Sequence, residues 1–405
     1  MIAVAESDSY LKWAVSLLAQ LPASTRVEIV VASSPLRPSA TQCGAALAGT
    51  AFADYRPAVL APAQLRRRVQ RDRPDAVLLA CTGPSAYVYQ AALGRASHRP
   101  VLISGIPGIA LPARRRAWRY RGAVDLFVVH SHREVAEYER TRMLTGKSGA
   151  VGLATLPFLA ARPAQPRRPG QAGDLAATGN RVLFATQATV PSLRRERIEI
   201  LLALDRLAAS RPELEVLVKT RGSSGEFHTH HEAHHYADLW RDLVSAGRVH
   251  EPARVAFVAG AMAEQLKGAA ALVTVSSTAV LEAMALDLPV LLLDEFGISA
   301  GLINQGFVGS GCLGGLNSLQ KAEFRRPEKW WLADNYFHPT TDNTWLDRLA
   351  ELVESAAAGR LPAITEGMDV DRPARRRQLD RLRLTPVGSA LVRARHRVLK
   401  RLRRP

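Results

Sequence analysis

The sequence predicts an α/β protein with two Rossmann-like, doubly wound domains that face a cleft, followed by a basic amphipathic helix. Short apolar runs alternate with longer segments of helical periodicity along most of the chain, a pattern typical of βαβ units. The apolar runs are uninterrupted, as expected of parallel strands that are covered on both faces. A segment rich in Pro, Gly and Arg, residues 161–180, separates two copies of this pattern, so the 405 residues are predicted to form two domains.

The first domain is predicted over residues 1–160. Helical periodicity covers residues 9–20 and 63–71, between strand-like runs. Because ligands of doubly wound sheets bind at the carboxyl ends of the strands, the residues that follow each run are candidates for function. The predicted strands are residues 2–5, 27–31, 76–80, 101–104 and 126–129.

The second domain is predicted over residues 181–360, where the same alternation resumes with a long helix at 192–210. The remaining residues, 361–405, form a basic tail in which apolar residues recur at helical spacing from 387 to 403. The predicted strands of the second domain are residues 182–185, 215–219, 255–258, 272–275 and 290–293.

The composition excludes a wholly disordered chain, since 47% of the residues are hydrophobic and 22% are charged. The net charge is +17, but residues 371–405 alone hold 13 basic and 2 acidic side chains. The basic character therefore belongs mainly to the tail. Because the tail lacks interleaved aromatic residues, the sequence argues against a nucleic-acid partner.

Several absences in the sequence predict a cytoplasmic protein. Three widely spaced cysteines (Cys43, Cys81 and Cys312) argue against a disulfide framework. The first residues do not form a secretory signal, and no apolar stretch reaches about 18 residues, the length a membrane-spanning helix needs. The basic amphipathic tail is the element expected to contact an anionic membrane surface.

A cluster of hydroxyl residues is the strongest local signal. Ser276, Ser277 and Thr278 follow the predicted strand 272–275 and open a helix. Unpaired backbone N–H groups and the dipole at such a position favour an anion, and Glu282, one turn later, is placed to accept hydrogen bonds from ribose hydroxyls. The alternative is that these hydroxyls only cap the helix.

The segment 261–295 resembles the donor-binding βαβ unit of GT-B glycosyltransferases. It has their order of hydroxyl cluster, Glu-Ala, small apolar residue, Pro and apolar strand, with Leu288 in place of the usual Gly before the Pro. It is similar in particular to the polysialyltransferases and the CDP-glycerol glycerophosphotransferases. The resemblance implies a GT-B fold and a nucleotide-sugar donor whose phosphates are bound by the hydroxyl cluster.

The same resemblance predicts a function for Lys219 and Arg221, which lie at and just after the end of the predicted strand 215–219. The related families place a basic-His-Pro stretch there, near the donor phosphates, but the His-Pro is absent from this chain. Either cation is predicted to stabilise the leaving phosphate. Both could equally be ordinary loop charges.

The first domain offers two candidates for the base that deprotonates the acceptor hydroxyl. Asp8 follows the first strand, and its alternative role is to cap the next helix. His130 follows the strand 126–129, with His132 as a similar candidate. The segment Arg114–Arg116, with Arg119, is predicted either to receive a phosphorylated or acidic acceptor or to form a solvated helix face.

Two short motifs have more than one interpretation. His231-Glu232-x-x-His235 matches a zinc-protease helix. Its alternatives are adventitious or structural metal binding and, favoured over both, a polar helix start where His230 or Glu232 contacts substrate. The stretch 309–314 spells G-x-G-x-x-G without a preceding strand, so a glycine-rich turn is favoured over a dinucleotide site. No metal site and no cofactor are predicted.

Together these observations predict a metal-independent glycosyltransferase that moves a sugar from a nucleotide-activated donor to a hydroxyl acceptor. The acceptor is expected to be a glycan or a lipid-linked molecule, in bacterial cell-surface glycan synthesis. The alternatives are a nucleotide-sugar 2-epimerase of the same fold and a non-enzymatic nucleic-acid-binding protein.

Overall fold

The computed structural model describes residues 1–156, 159, 179–220 and 232–364. Contacts divide the chain into two compact units. Unit 1 comprises Met1–Pro157 and Pro339–Pro405, and unit 2 comprises Phe158–His338. Residues 339–360, which the sequence analysis assigns to the second domain, are thus grouped with the first. The predicted tail helix at 387–403 lies outside the described residues.

Unit 1 contains a sheet of seven parallel strands in the order β3-β2-β1-β4-β5-β6-β7. The order reverses between β1 and β4, which makes this pair the topological switch point of the sheet. Strand residues are almost all buried, which explains why their apolar runs are continuous. The strands are β1 (Ile2–Ala5), β2 (Glu28–Ala32), β3 (Ala58–Leu60), β4 (Ala76–Ala80), β5 (Val101–Gly105), β6 (Leu126–Val129) and β7 (Ala150–Leu153).

Local signals in the sequence fix where several helices of unit 1 begin. Ser39 and Gln42 form a reciprocal capping box, Pro62 occupies the first position of α3, and Ser131 accepts a hydrogen bond from the backbone N–H of Glu134. The helices are α1 (Asp8–Leu18), α2 (Ala40–Leu47), α3 (Pro62–Asp72), α4 (Gly83–Leu93), α5 (Arg115–Tyr120) and α6 (His132–Leu144).

Unit 2 contains a sheet of six parallel strands in the order β10-β9-β8-β11-β12-β13. The switch point lies between β8 and β11. The strands are β8 (Arg181–Ala185), β9 (Glu215–Lys219), β10 (Val255–Val258), β11 (Ala269–Thr274), β12 (Val290–Leu293) and β13 (Leu313–Gly314). The α-helices are α7 (Arg194–Ser210), α8 (Tyr236–Ser245), α9 (Met262–Gln265), α10 (Ala279–Ala285), α11 (Leu316–Gln320) and α12 (Lys329–Asp334).

The chain returns to unit 1 with α13 (Trp345–Ala357). Trp345 is fully buried among the side chains of unit 1, and its indole N–H donates to Oε1 of Gln20 at 2.9 Å. The backbone N–H of Thr344 donates to the carbonyl of Leu153 at the end of β7. Gly152 lies so close that a Cβ there would come within 2.9 Å of the Cα of Trp345. The last helix therefore completes the core of unit 1.

The predicted fold class is confirmed, since both units are parallel α/β sheets covered by helices. Within the described residues, none of the helices combines the length and the apolar character that crossing a membrane would require.

Candidate functional site

The switch point of unit 2 is bridged by the side chain of Gln187, which follows β8. Its Oε1 accepts hydrogen bonds from the backbone N–H and from Oγ of Ser276, at 3.1 and 2.9 Å. Because only the amide oxygen can accept the hydrogen bond from the backbone N–H, the amide nitrogen of Gln187 lies on the side away from this N–H group. No described residue accepts a hydrogen bond from that nitrogen. Gln187 therefore joins the ends of β8 and β11 through its amide oxygen.

The three predicted hydroxyl residues have different positions. Ser276 is buried, and its hydroxyl is already bonded to Gln187. Oγ of the half-buried Ser277 accepts from the backbone N–H of Ala279, the first residue of α10, at 3.3 Å. The N-cap residue of α10 is Thr278, which makes no side-chain cap hydrogen bond. Thr278 is exposed. Ser277 and Thr278 are therefore the more exposed members of this cluster.

Thr274 fixes the turn that presents these hydroxyls. Its Oγ1 donates to the carbonyl of Ala185 on the neighbouring strand at 2.8 Å and accepts from the backbone N–H of Ser277 at 3.2 Å. The side chain is fully buried, so the turn after β11 is anchored to the end of β8. Glu282 lies half-buried in the first turn of α10.

Lys219 ends β9, on the other side of β8. Its Nζ donates to the carbonyl of Thr220 at 3.0 Å, and its carbonyl accepts from Oγ1 of Thr186. The sheet order β9-β8-β11 thus brings Lys219 and the hydroxyl cluster to the carboxyl edge, with β8 between their strands. Arg221, predicted to act with Lys219, lies outside the described residues.

A buried ion pair that was not among the sequence-based predictions supports the loop that carries Gln187. The guanidinium of Arg197 on α7 pairs with the carboxylate of Glu232, and Arg197 is only 1% exposed. Its Nε and Nη2 donate to three backbone carbonyls of the loop 187–191, at 2.7 to 3.1 Å. The same guanidinium lies over the ring of Tyr236, 4.8 Å from its centroid.

The zinc-helix interpretation of the His-Glu motif is wrong for the residues that the structure describes. His235 is the N-cap of α8, so residues 232–235 precede the helix instead of lying on one face of it. Glu232, which would be the catalytic base, is paired with Arg197. His230 and His231 lie outside the described residues.

Residues 309–312 of the glycine-rich stretch form a turn before β13, which is the last two residues of the stretch. Gly309 and Gly311 have φ values of +86° and +76°, which side chains with a Cβ rarely adopt. Nearby, Glu295 accepts a hydrogen bond from the backbone N–H of Leu316 at 2.8 Å, so its carboxylate is bound to the start of α11.

The switch point of unit 1 is built in a similar way but with a charged residue. Glu6 follows β1 and is 2% exposed. Its carboxylate accepts from the backbone N–H of Thr82 at 2.8 Å and from the hydroxyl of Ser85, at the start of α4. This crevice is therefore occupied by an anion that belongs to the protein itself.

Arg121 lies on the other side of the peptide bond that Glu6 contacts. Its Nη2 donates to the carbonyl of Cys81 at 2.8 Å, and the N–H of this same peptide group, on Thr82, donates to Glu6. Its Nε donates to Oγ of Ser104. The peptide dipole is aligned between the two buried charges, which stabilises each of them without direct contact.

His130 and Asp8 have very different surroundings. His130 is fully buried. Its Nε2 accepts from the indole N–H of Trp13 at 2.8 Å, so Nδ1 carries the proton and donates to the carbonyl of Ala154 at 2.7 Å. This geometry favours a structural role for His130. Asp8 is the first residue of α1, is partly exposed and accepts from Nζ of Lys12 at 3.0 Å.

Alkaline solution is expected to destabilise the protein. Burial raises the pKa of Tyr10 from 10.0 to about 12, an effect that Arg121 opposes, and burial raises the pKa of the Cys312 thiol from 9.0 to about 12. At a pH below the ordinary pKa values, the folded and the unfolded chain both keep these protons. As the pH rises from about 9 to about 12 the unfolded chain releases them first, so the free energy of unfolding should fall.

Urea denaturation over this pH range, with absorbance at 295 nm to follow tyrosine ionisation, checks this expectation. The Cys312→Ala variant is the control and should lose less stability between about pH 9 and about pH 12 than the parent chain. A free energy of unfolding that stays constant to about pH 12 would contradict the prediction.

Three solved structures are similar to this chain in fold. The first is Staphylococcus aureus MnaA in a co-structure with UDP, with a TM-score of 0.54 at 13% identity over 94% of this chain and 95% of that chain. Anabaena Alr3699/HepE in complex with UDP and glucose has a TM-score of 0.51 at 12% identity, over 88% of this chain and 99% of that chain. UDP-GlcNAc 2-epimerase from Neisseria meningitidis bound to UDP-GlcNAc has a TM-score of 0.50 at 11% identity, over 88% of this chain and 99% of that chain.

At these identities the likeness shows the fold, which is the GT-B arrangement of two Rossmann-like domains. A search of curated proteins returned no significant match. The model of one sequence family matches residues 1–352, and its description is "Putative glycosyltransferase (DUF6716)". The GT-B resemblance inferred from the hydroxyl cluster is therefore confirmed at the level of family and fold, whereas the closer likeness to polysialyltransferases stays a prediction. The chain belongs to this glycosyltransferase family of GT-B fold.

Proposed function

We propose that the protein transfers a sugar from a nucleotide-activated donor to a hydroxyl acceptor. The observation that carries this proposal is the family match over residues 1–352. Solved structures of the same fold, from Staphylococcus aureus and Anabaena, contain UDP. The donor of this chain is accordingly proposed to be a nucleotide sugar.

The chemistry of the two switch points favours unit 2 as the donor-binding unit. In unit 1 the crevice holds the carboxylate of Glu6, which would repel a phosphate. In unit 2 the equivalent bridge is the neutral amide of Gln187, with its amide N–H donors, Ser277 and Thr278 beside it. A bridging side chain that is uncharged, with several donors beside it, suits the diphosphate of a nucleotide sugar.

Departure of the nucleotide requires stabilisation of the negative charge that develops on its phosphate. Lys219 ends the strand next to β8 and is the described cation proposed for this role. Arg221 is proposed to assist it. Donors and cations of this kind replace the charge that a metal ion would supply, so transfer is proposed to be metal-independent. Glu282 is proposed to bind the ribose hydroxyls.

Asp8 is the better candidate for the base that deprotonates the acceptor. It lies at the carboxyl edge of the first sheet and is partly exposed, so its carboxylate can be reached by an acceptor hydroxyl. His130 lacks this access because both ring nitrogens are bonded inside unit 1. The acceptor is proposed to be a glycan or a lipid-linked molecule of the bacterial cell surface, and the basic tail is proposed to hold the enzyme at the inner face of the membrane.

Nucleotide binding tests the proposal directly. A thermal-shift series with UDP, CDP, GDP and CMP should identify one nucleotide that stabilises the protein. Calorimetry with that nucleotide should then give a dissociation constant about tenfold or more higher for Ser277→Ala and for Lys219→Met, because each variant removes a hydrogen bond to a charged group. Ser245→Ala, an exposed serine at the end of α8, is the matched control and should bind as the parent chain does.

Three outcomes would overturn the proposal. The first is unchanged affinity of both variants for every nucleotide, which would remove the donor site from unit 2. The second is conversion of the donor sugar into its 2-epimer in the absence of any acceptor, which would make the protein an epimerase. Salt-dependent binding of DNA that survives in the Lys219→Met variant, without nucleotide binding, would favour a nucleic-acid-binding protein instead.

A further inference from the structure

We propose that Arg197 is a positioning residue for the nucleotide donor, on which it acts through the loop 187–191 without contacting the donor itself. By binding carbonyls of this loop, it turns backbone N–H groups of the same peptide units toward the donor phosphates. The inference rests on the proposed function, because it takes unit 2 as the donor-binding unit. It adds a residue and a pair of backbone donors that neither the family match nor the fold specifies.

The guanidinium of Arg197 is saturated by acceptors of the protein itself. Its Nε and Nη2 donate to three carbonyls of the loop 187–191, at 2.7 to 3.1 Å. Its Nη1 donates to the carbonyl of His234 at 2.6 Å and to the carboxylate of Glu232. These are five acceptors for the five N–H groups that an arginine has. Since the residue is also only 1% exposed, we expect no ligand to contact it directly.

The direction of the loop carbonyls determines the direction of two N–H groups. In a trans peptide unit the N–H points opposite to the C=O, and the peptide bonds after Gln187 and Ala188 are trans. The N–H groups of Ala188 and Thr189 therefore point away from the guanidinium that binds the carbonyls of Gln187 and Ala188. No described residue accepts a hydrogen bond from either N–H group. Successive N–H groups turned to one side form a site for an anion.

The loop lies where a donor phosphate is expected. It follows β8 directly, so it is at the carboxyl edge of the sheet, at the switch point between β8 and β11. Its first residue, Gln187, is bonded through its side chain to Ser276 of the hydroxyl cluster. Thr189 is exposed. The two N–H groups therefore come one and two residues after the contact that joins β8 to β11.

A cation behind the loop also strengthens these donors. A carbonyl that accepts a hydrogen bond from a charged group is polarised, and the N–H of the same peptide unit becomes a better donor. The charge of Arg197 is balanced by Glu232, so the interior of unit 2 holds an ion pair and not an isolated cation. Lysine could not replace the guanidinium, because an ammonium group has three N–H donors for five acceptors.

Nuclear magnetic resonance of the full chain, labelled with nitrogen-15, tests the inference at the two N–H groups. Inorganic pyrophosphate is the probe, because it presents the diphosphate without a base or a sugar. Titration should shift the amide resonances of Ala188 and Thr189 in the parent chain until the site is saturated. In the Arg197→Lys variant the dissociation constant obtained from these shifts should be about tenfold higher, because the loop carbonyls lose donors.

Two control variants separate positioning from stability, which urea denaturation measures for each variant. Glu232→Gln removes the ion pair but keeps the guanidinium and its bonds to the loop, so its dissociation constant for pyrophosphate should stay within about twofold of the parent value. Leu243→Ala, at a buried position of α8, creates a cavity and loses stability but keeps every hydrogen bond of Arg197. This variant should bind pyrophosphate as the parent chain does.

Two results would overturn the inference while the donor site is retained. One is nucleotide binding that weakens in Ser277→Ala and Lys219→Met, while pyrophosphate leaves both amide resonances of the parent chain unchanged. The other is an equal rise of the dissociation constant in Arg197→Lys and Leu243→Ala, which would leave Arg197 a purely structural role. Absence of binding for every nucleotide and for pyrophosphate would instead reject the proposed function and this inference together.

Discussion

Replacing Arg197 by Met is expected to lower the free energy of unfolding of unit 2 by about 3–5 kcal/mol. The variant leaves the carboxylate of Glu232 half-buried without its cation, and it leaves three carbonyls of the loop 187–191 without their donor. Urea denaturation of the full chain measures the loss. Hydrogen exchange followed by mass spectrometry should locate it in the loop 187–191 and at the start of α8.

A matched control lies on the same helix. Arg194 pairs with Asp242 at 3.1 Å, but these side chains are 51% and 66% exposed. Such a pair contributes about 0–1 kcal/mol, so Arg194→Met should change stability little. The Arg197→Met/Glu232→Met double variant should recover part of the loss, because no buried charge remains unpaired. Equal destabilisation by the Arg194 and Arg197 variants would contradict the assignment of a buried pair.

Replacing Trp345 by Ala is expected to lower the free energy of unfolding of unit 1 by about 3–5 kcal/mol. The indole is fully buried, fills the space above Gly152 and bonds to Gln20. Alanine would leave a cavity that the rigid sheet cannot close. Denaturant unfolding followed by circular dichroism measures the effect, and Trp345→Phe should lose less because it keeps most of the volume.

Trp330 supplies the control for Trp345. It is 60% exposed in α12 of unit 2, so Trp330→Ala should cost far less stability. If the two alanine variants unfold at the same denaturant concentration, α13 is not an integral part of the core of unit 1.

Most strands are predictable from the sequence because their apolar runs are continuous and bounded by polar residues. The predictions fail where a strand is short or lies at the edge of a sheet. In β3 two of the three residues are exposed, and β13 has only two residues. The return of α13 to unit 1 is likewise not encoded in any local pattern, because it depends on contacts with residues far away in the chain.

The candidate site was predictable only where several polar residues occur together, as in Ser276–Thr278. Gln187 and Glu6 are single polar residues that follow a strand, and their importance depends on which strand lies next to them. The buried position of Arg197, in contrast, could have been predicted from the sequence. It lies at the helical spacing of Ile200, Leu201 and Leu204, so an arginine occupies a position of the apolar face.

The pairing of Thr155 with Asn343, 188 residues later in the chain, has a consequence for synthesis of the protein on the ribosome. Translation at about 5–20 residues per second delays the arrival of α13 by about 10–40 s after the first seven strands have been made. During this interval α13 does not yet cover the part of the earlier sheet that it contacts, on β5, β6 and β7. The sequence of the inserted unit is complete before α13 is made, so that unit can fold first. The nascent chain is therefore expected to complete its middle portion before its beginning.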